Sequence, residues 1–141
     1  MKRMIILILS LSLLAACKSD SPEQFLGVWT ADHEHSSRFY DSVSNIVMEI
    51  KPNDKTSDQG RVLVNVRTVT ESKRNDEPNS FLKDRVTEHE SWHLFYVVGD
   101  YLTRYSPDDH KYIQIENGRL KGLREWAEMG VYTDAIYTTK K

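Results

Sequence analysis

Two stretches of alternating apolar and polar residues, with a polar loop between them, constrain the fold of this chain more than any other feature. In residues 45–50 and again in residues 62–70, apolar or β-branched side chains occupy every second position. A period of two places these side chains on one face of an extended strand, where they cover a core. Residues 52–60 contain proline, glycine and several polar residues that favour a turn. The two stretches are therefore predicted to form a β-hairpin.

Two further turn signals follow at short intervals. Gly99-Asp100 separates the strand-like residues 91–98 from residues 101–105 and suits a type II′ turn between two strands. Asn117-Gly118 follows another β-rich run, Tyr112–Ile115, and is a strong hairpin signal. Frequent turns between short strands are typical of an antiparallel barrel or sandwich. The chain is therefore predicted to be all-β.

Residues 1–17 have the layout of a secretory signal. Lys2 and Arg3 give a positive start, residues 4–14 are almost wholly apolar, and small residues lead up to Cys17. The apolar run is shorter than the stretch of about 20 residues that a membrane-spanning helix needs. The segment is therefore predicted to direct export and not to remain as a transmembrane helix.

Leu14-Ala15-Ala16-Cys17 resembles the lipobox of bacterial lipoproteins. This resemblance implies cleavage between Ala16 and Cys17 and acylation of Cys17, with residues 1–16 as the signal peptide and residues 17–23 as the acylated cysteine and a polar tether. Two or more acyl chains hold a protein on a membrane stably. Lys18 stands where inner-membrane retention signals usually carry aspartate, so the resemblance implies attachment to the outer membrane of the cell envelope.

Residues 24–141 are long enough for one domain and not for two. Cys17 is the only cysteine, so its acylation leaves no disulfide to support this domain, and burial of apolar surface must stabilise it. The full chain has 19 basic and 21 acidic residues. This balance gives no electrostatic reason to expect nucleic acid as a partner.

A tryptophan motif opens the predicted domain. Gly27-Val28-Trp29 resembles the G-x-W signature of lipocalins, in which the tryptophan packs across the closed end of a β-barrel. The resemblance implies a small antiparallel barrel of about eight strands that binds a small apolar ligand in its mouth or an envelope protein. Apolar residues from Leu120 to Ala127 follow helical spacing, and Gly130 is placed to end a turn. A short helix is therefore expected before a last strand at residues 131–138.

One motif points to an enzyme instead. His89-Glu90-Ser91-Trp92-His93 matches H-E-x-x-H, in which two histidines on one helical face bind zinc and the glutamate acts as a base. Residues 94–98 continue as an apolar run, which favours a strand. On a strand the two histidines are about 13 Å apart, too far to bind one zinc ion at about 2.1 Å. A solvated strand face is the favoured interpretation, and a zinc peptidase with ligands His89 and His93 and base Glu90 is the lesser alternative.

The remaining chemistry-bearing residues are few. His33-Glu34-His35 forms a second histidine cluster, expected on a loop after the first strand, and imidazole suits several transition metals. No nucleophile elbow, P-loop, dinucleotide fingerprint or C-x-x-C motif is present, so no cofactor is expected. The leading hypothesis is a membrane-anchored, non-enzymatic binding lipoprotein. The alternative is an exclusion, immunity or inhibitor lipoprotein that acts through a loop such as residues 71–85.

Overall fold

The computed structural model describes residues 22–54, 60–74 and 85–139. These residues form eight antiparallel strands, in which each strand pairs with its neighbours in sequence and the first pairs with the last to close a barrel. The strands are β1 (Gly27–Ser36), β2 (Tyr40–Pro52), β3 (Arg61–Arg74), β4 (Arg85–Val98), β5 (Tyr101–Thr103), β6 (Lys111–Glu116), β7 (Arg119–Gly122) and β8 (Ile136–Thr139). The prediction of a small all-β antiparallel barrel is confirmed.

Two tight turns form where the sequence predicts them. Between β4 and β5, Gly99 has a φ of 58° and Asp100 does not enter the positive-φ region, which matches the predicted type II′ turn. Between β6 and β7, Asn117 and Gly118 have φ values of 51° and 70°, as a type I′ turn requires. These turns fix the register of their hairpins and so decide which side chains face inward.

Apolar side chains fill the barrel interior. In β2, every second residue from Ser44 to Ile50 is buried, and β3 buries Val62, Val64 and Val66. The largest fully buried side chains come from most of the strands and from both barrel ends: Phe25, Ile46, Met48, Ile50, Val62, Val64, Phe95, Leu102, Ile113, Leu120, Met129 and Tyr137. Each large apolar side chain removed from water contributes about 1.5–3 kcal/mol.

Phe25 and Trp29 close one end of the barrel. Phe25 ends a short 3-10 turn, Pro22–Phe25, and has no exposed surface. The Trp29 indole is 3% exposed, and its Nε1–H donates to the backbone carbonyl of Phe25 at 2.8 Å. Because a buried indole N–H needs an acceptor, this bond fixes the tryptophan across the barrel end.

The loop between β7 and β8 enters the other end, and its residues 126–131 are called the plug. Trp126 and Val131 bond each other through their backbones at 2.7 and 3.1 Å. Gly130 has a φ of 61°, and a Cβ atom placed on it would lie 2.9 Å from Thr68 Oγ1. The Tyr137 hydroxyl donates to the Gly130 carbonyl. The plug is thus packed against the strands and is part of the core.

Some strands are much longer than others. β2, β3 and β4 have 13, 14 and 14 residues, whereas β5 has 3 and β7 and β8 have 4 each. The extra length, together with the end of β1, continues past the barrel on the side of the plug as a four-stranded sheet. This upper sheet consists of residues 33–36, 40–45, 69–74 and 85–92.

Three sequence-based predictions of local structure are wrong. The described chain has no α-helix before β8; Leu120 lies in β7, and only Ala127–Met129 forms a 3-10 turn, which Gly130 ends as predicted. The apolar residues there do not share the face of a helix. Leu120, for example, is buried in β7, where it pairs with Tyr137 of β8. The last strand begins at Ile136, not at residue 131.

The third correction concerns polar segments that were expected to be loops. His33-Glu34-His35 continues β1, where it pairs with β2, and β3 runs through to Arg74. Both belong to the upper sheet. Because this sheet does not cover the apolar core, burial does not require apolar and polar residues to alternate in its strands. Of the predicted loop at residues 71–85, residues 75–84 lie outside the described part of the chain.

Candidate functional site

The structure locates the point at which the predicted tether joins the barrel. Ala16 and Cys17 lie outside the described residues. Pro22, the first described residue, begins the 3-10 turn that leads to Trp29 at the closed end. Gly27 starts β1 with a φ of 128°, a conformation that favours glycine. The chain therefore enters at the closed end, and the upper sheet lies at the opposite end.

The H-E-x-x-H residues lie on β4, which is the strand that the sequence favours. His89 and His93 are on the inward face of the sheet, in register with Thr68 and Val64 of β3. Glu90 is on the outer face, where its Oε1 accepts a bond from Asn65 Nδ2 at 2.8 Å. The glutamate is thus on the opposite face of the sheet from both imidazoles.

In the second histidine cluster, strand geometry likewise places Glu34 on the opposite face of β1 from His33 and His35. His33 stacks on Tyr132 with ring centroids 3.8 Å apart, and its Nε2 lies 3.2 Å from Asp134 Oδ1. His35 is exposed on the upper sheet. Within the three described ranges, no group of three or more histidine, cysteine, aspartate or glutamate side chains is arranged to hold a metal ion.

His93 lies at the junction of β4 and the plug. Its ring centroid is 5.2 Å from that of Trp126, which also packs against Tyr112 at 5.3 Å. The Arg104 guanidinium covers the Trp126 ring at 3.8 Å. Burial, and secondarily the Arg104 charge, lowers the pKa of His93. His93, Trp126, Tyr112 and Arg104 thus form an aromatic and cationic cluster that holds the plug against β4, and burial favours the neutral form of its imidazole.

Two polar atoms of this region have no hydrogen-bond partner among the described residues. They are Ser91 Oγ and His93 Nε2, both buried and two residues apart on the inward face of β4. Above them the inward face of the upper sheet is hydroxyl-rich, with bonds between Ser44 and Thr70 at 2.8 Å and between Ser42 and Ser72 at 2.9 Å. This surface offers hydroxyl groups for polar contacts.

The outer face of β3 and β4 combines ion pairs with exposed apolar side chains. Arg67 Nε binds Glu88 Oε1 at 2.6 Å, and this hydrogen bond raises the pKa of Arg67. Val86 and Trp92 are 68% and 52% exposed on the same strand. Large apolar side chains that remain in water beside charged ones are a feature of interaction surfaces.

Sequence reasoning did not find the group of side chains around Trp126 that His93 joins. Trp126, Tyr112 and Arg104 come from the plug, β6 and the loop after β5, and no local motif connects them to the histidine. Only the barrel topology brings them together. The signal in the sequence is limited to an aromatic residue, Trp126, placed four residues before a turn-ending glycine.

These features define an eight-stranded closed β-barrel with a side-chain-filled interior and a polar upper sheet. Comparison of the chain with protein-family models, with curated proteins and with solved structures found no match. None of the helices in the described ranges is long and apolar enough to cross a membrane.

Proposed function

We propose that this chain is an envelope lipoprotein, anchored through acyl chains on Cys17, that binds another envelope protein through the outside of its barrel and catalyses no reaction. Leu14-Ala15-Ala16-Cys17 supports the anchor, because cleavage there leaves Cys17 at the new N-terminus for acylation. This role includes exclusion, immunity and inhibitor proteins, all of which act by occupying a partner.

The filled barrel interior is the observation that favours protein binding over ligand carriage. Phe25 and Trp29 occupy one end, and Met129 and Val131 of the plug occupy the other, each 3% exposed or less. An eight-stranded barrel either holds its own side chains or one small ligand. Carriage of an apolar molecule would require the plug to leave the core, where Met129 and Val131 are fully buried.

The direction of the tether supports the same role. It joins the closed end at Pro22, so an anchored barrel presents its upper sheet away from the bilayer. Pro22 and Glu23 belong to the 3-10 turn, so the tether before it is residues 18–21, which reach about 13 Å when extended at roughly 3.3 Å per residue. That length lifts the barrel off the lipid headgroups and leaves the upper sheet accessible to proteins of the envelope.

Photo-crosslinking in intact cells tests the proposal. A photoreactive amino acid at Trp92, on the exposed outer face of β4, is expected to give one discrete protein adduct. The control carries the same amino acid at Arg119, on the β6–β7 hairpin. Native mass spectrometry of the purified chain is expected to show no co-purified lipid beyond the covalent acyl chains. A stoichiometric non-covalent lipid with no adduct would favour the carrier and contradict the proposal.

The anchor has its own test. Cys17→Ser removes the acylated thiol and is expected to move the protein from the membrane pellet to the soluble fraction, with Ser19→Ala as a control that stays in the pellet. Mass spectrometry of the wild-type N-terminus should show acylated Cys17. An unprocessed and unmodified N-terminus would contradict the anchor while leaving protein binding to be judged by the crosslinks.

A further inference from the structure

Among the described residues, β4 has a long edge with which no strand pairs. It pairs with β3 from Arg85 to Tyr96, but with β5 only from Tyr96 to Val98. Within the described ranges, no strand pairs with the other side of β4 between Arg85 and Phe95. Free edges of this length are templates for another strand, and proteins usually shorten them, bulge them, or place charged residues or proline in them. Residues 85–95 contain no proline and their register is unbroken.

The backbone groups on this edge are identified by one hydrogen bond. Val97 N–H donates to the Gly60 carbonyl on the β3 side at 3.0 Å. In an antiparallel ladder, alternate residues direct both backbone groups to the same side. Odd-numbered residues of β4 therefore face β3, and the even-numbered residues face the free edge. The edge-facing residues that precede the β5 pairing are Val86, Glu88, Glu90, Trp92 and Leu94.

Side chains beside this edge form a pattern on the outer face. Glu88 and Glu90 are adjacent exposed carboxylates, with exposed Val86 on one side and exposed Trp92 on the other. Each carboxylate uses Oε1 for a partner on β3, Arg67 for Glu88 and Asn65 for Glu90. A strand added to the edge would therefore meet two acidic positions between apolar ones.

A second copy of this chain does not match the pattern. Two-fold antiparallel pairing of β4 with itself joins residues of the same face, and registers centred on residues 88, 89 or 90 place Glu88 or Glu90 opposite a carboxylate. Like charges directly opposite each other destabilise a strand pair. A register centred on Ser91 places Glu90 opposite Trp92 and Glu88 opposite Leu94, so neither carboxylate faces a basic side chain. The charge pattern thus opposes self-pairing and favours a different strand.

We infer that the free edge of β4 accepts an antiparallel strand from a partner protein, with basic side chains opposite Glu88 and Glu90 and apolar side chains opposite Val86, Trp92 and Leu94. The added strand extends the sheet by backbone hydrogen bonds, and its outer side chains give specificity. Its inner side chains meet Thr87, His89, Ser91 and His93. This inference deepens the proposed function and rests on it for a natural partner.

A synthetic peptide tests the inference without that partner. The probe is the nine-residue peptide Val-Thr-Val-Thr-Lys-Thr-Lys-Thr-Val, which aligned antiparallel to residues 94–86 places lysines opposite Glu90 and Glu88. Added to the full chain in detergent micelles, it is expected to bind saturably. Amide hydrogen exchange measured by NMR is expected to slow at the five even-numbered edge residues and to stay unchanged at the odd-numbered ones.

Charge variants supply the controls. The same peptide with glutamate in place of both lysines is expected to bind about tenfold more weakly, because two favourable cross-strand pairs become repulsive. Glu88→Lys combined with Glu90→Lys is expected to reverse this preference, and the milder Glu90→Gln to reduce it should the double variant unfold. Glu34→Lys on β1 is the matched control and is expected to leave binding unchanged.

The outcomes that overturn the inference are distinct from those that overturn the proposed function. Equal binding of the two peptides, protection outside β4, or edge amides that are already protected in the free chain would each refute strand addition. A discrete crosslinked partner with no peptide binding would refute this inference alone. Peptide binding at the edge with no partner in cells would refute the proposed function alone.

Discussion

The imidazole of His93 packs against the indole of Trp126, with ring centroids 5.2 Å apart and the planes tilted by 57°. Arg104 covers the indole, and Glu128 and His89 also act electrostatically on His93, Glu128 raising its pKa and His89 lowering it. Burial has the largest influence and makes the neutral imidazole the form that the folded protein favours. The contact between β4 and the plug therefore involves a histidine whose neutral form is favoured by burial.

Acidification is expected to destabilise the fold through His93. Because its pKa is lower in the folded than in the unfolded chain, the unfolded chain binds more protons between the two values. The free energy of unfolding should fall as the pH drops below about 6.5, the ordinary histidine value, and this contribution should level off below the folded pKa. Urea denaturation at about pH 7.5 and pH 5.5 measures the difference.

Replacing the histidine provides the control for this pH effect. His93→Phe keeps an aromatic ring against Trp126 but cannot be protonated, so the loss of stability between the two pH values should become smaller. His35→Phe alters an exposed histidine of the upper sheet and should retain the wild-type pH dependence. Equal pH dependence in the two variants would contradict a role for His93.

Gly130→Ala is expected to destabilise the plug more than the same change in an open turn. A Cβ at Gly130 would lie 2.9 Å from Thr68 Oγ1 and 3.1 Å from both Ile46 Cγ2 and Val66 Cγ1. Gly118 has a similar φ of 70° but no atom within 4 Å of its Cβ position. Both variants incur about 1–2 kcal/mol of left-handed strain, and crowding should add about 1–3 kcal/mol at Gly130 alone.

Equilibrium denaturation of the two glycine variants isolates the packing contribution, because the backbone strain cancels in their difference. Similar free energies of unfolding for Gly130→Ala and Gly118→Ala would indicate that the plug yields easily. Such a result would also weaken the case against a ligand inside the barrel.

Trp29→Ala is expected to lower the free energy of unfolding by about 3–5 kcal/mol, since it empties a large buried volume at the closed end. Trp29→Phe fills much of this volume but leaves the Phe25 carbonyl without its donor, for a loss of about 1–3 kcal/mol. Trp92→Ala removes an exposed indole and should stay within about 0.5 kcal/mol of the wild type. Thermal or urea unfolding of the three variants should rank them in this order.

Zinc is expected to bind only weakly and to confer no peptidase activity. His89 and His93 are separated by four strand rises, about 13 Å, and Glu90 points to the other face. Isothermal titration of the purified chain with zinc should give the same weak binding for wild type and His93→Phe. Glu90→Gln should leave any background proteolysis unchanged. A tight one-to-one zinc complex with activity that Glu90→Gln abolishes would establish the enzyme instead.

The parts of the fold that the sequence predicts are those decided by local contacts. β2 and β3 line a core, so burial imposes alternation on residues 45–50 and 62–70, and the turns at Gly99 and Asn117-Gly118 need particular backbone angles. Beyond the barrel no such pressure acts. The His33-Glu34-His35 segment is polar on both faces although it is a strand, which is why its pattern resembles a loop.

The candidate binding surface is less predictable for a physical reason. An edge exists because β5 ends at Thr103 while β4 extends back to Arg85, and this mismatch depends on how two separate segments pair. Glu88 and Glu90 are visible in the sequence, but there Glu90 is part of an H-E-x-x-H motif that suggests catalysis, and Glu88 directly precedes it. Their role as neighbours of an open edge follows only from the topology.

The barrel is joined where β1 meets β8, through the pairs Trp29 with Thr139 and Thr30 with Thr138. β2, by contrast, pairs with β3 along all of its 13 residues. Tension transmitted through the N-terminal segment reaches this short seam first, since Phe25 and Gly27 immediately precede it. Under mechanical load the molecule is therefore expected to unzip at its two chain ends while the long central meander of β2, β3 and β4 stays intact.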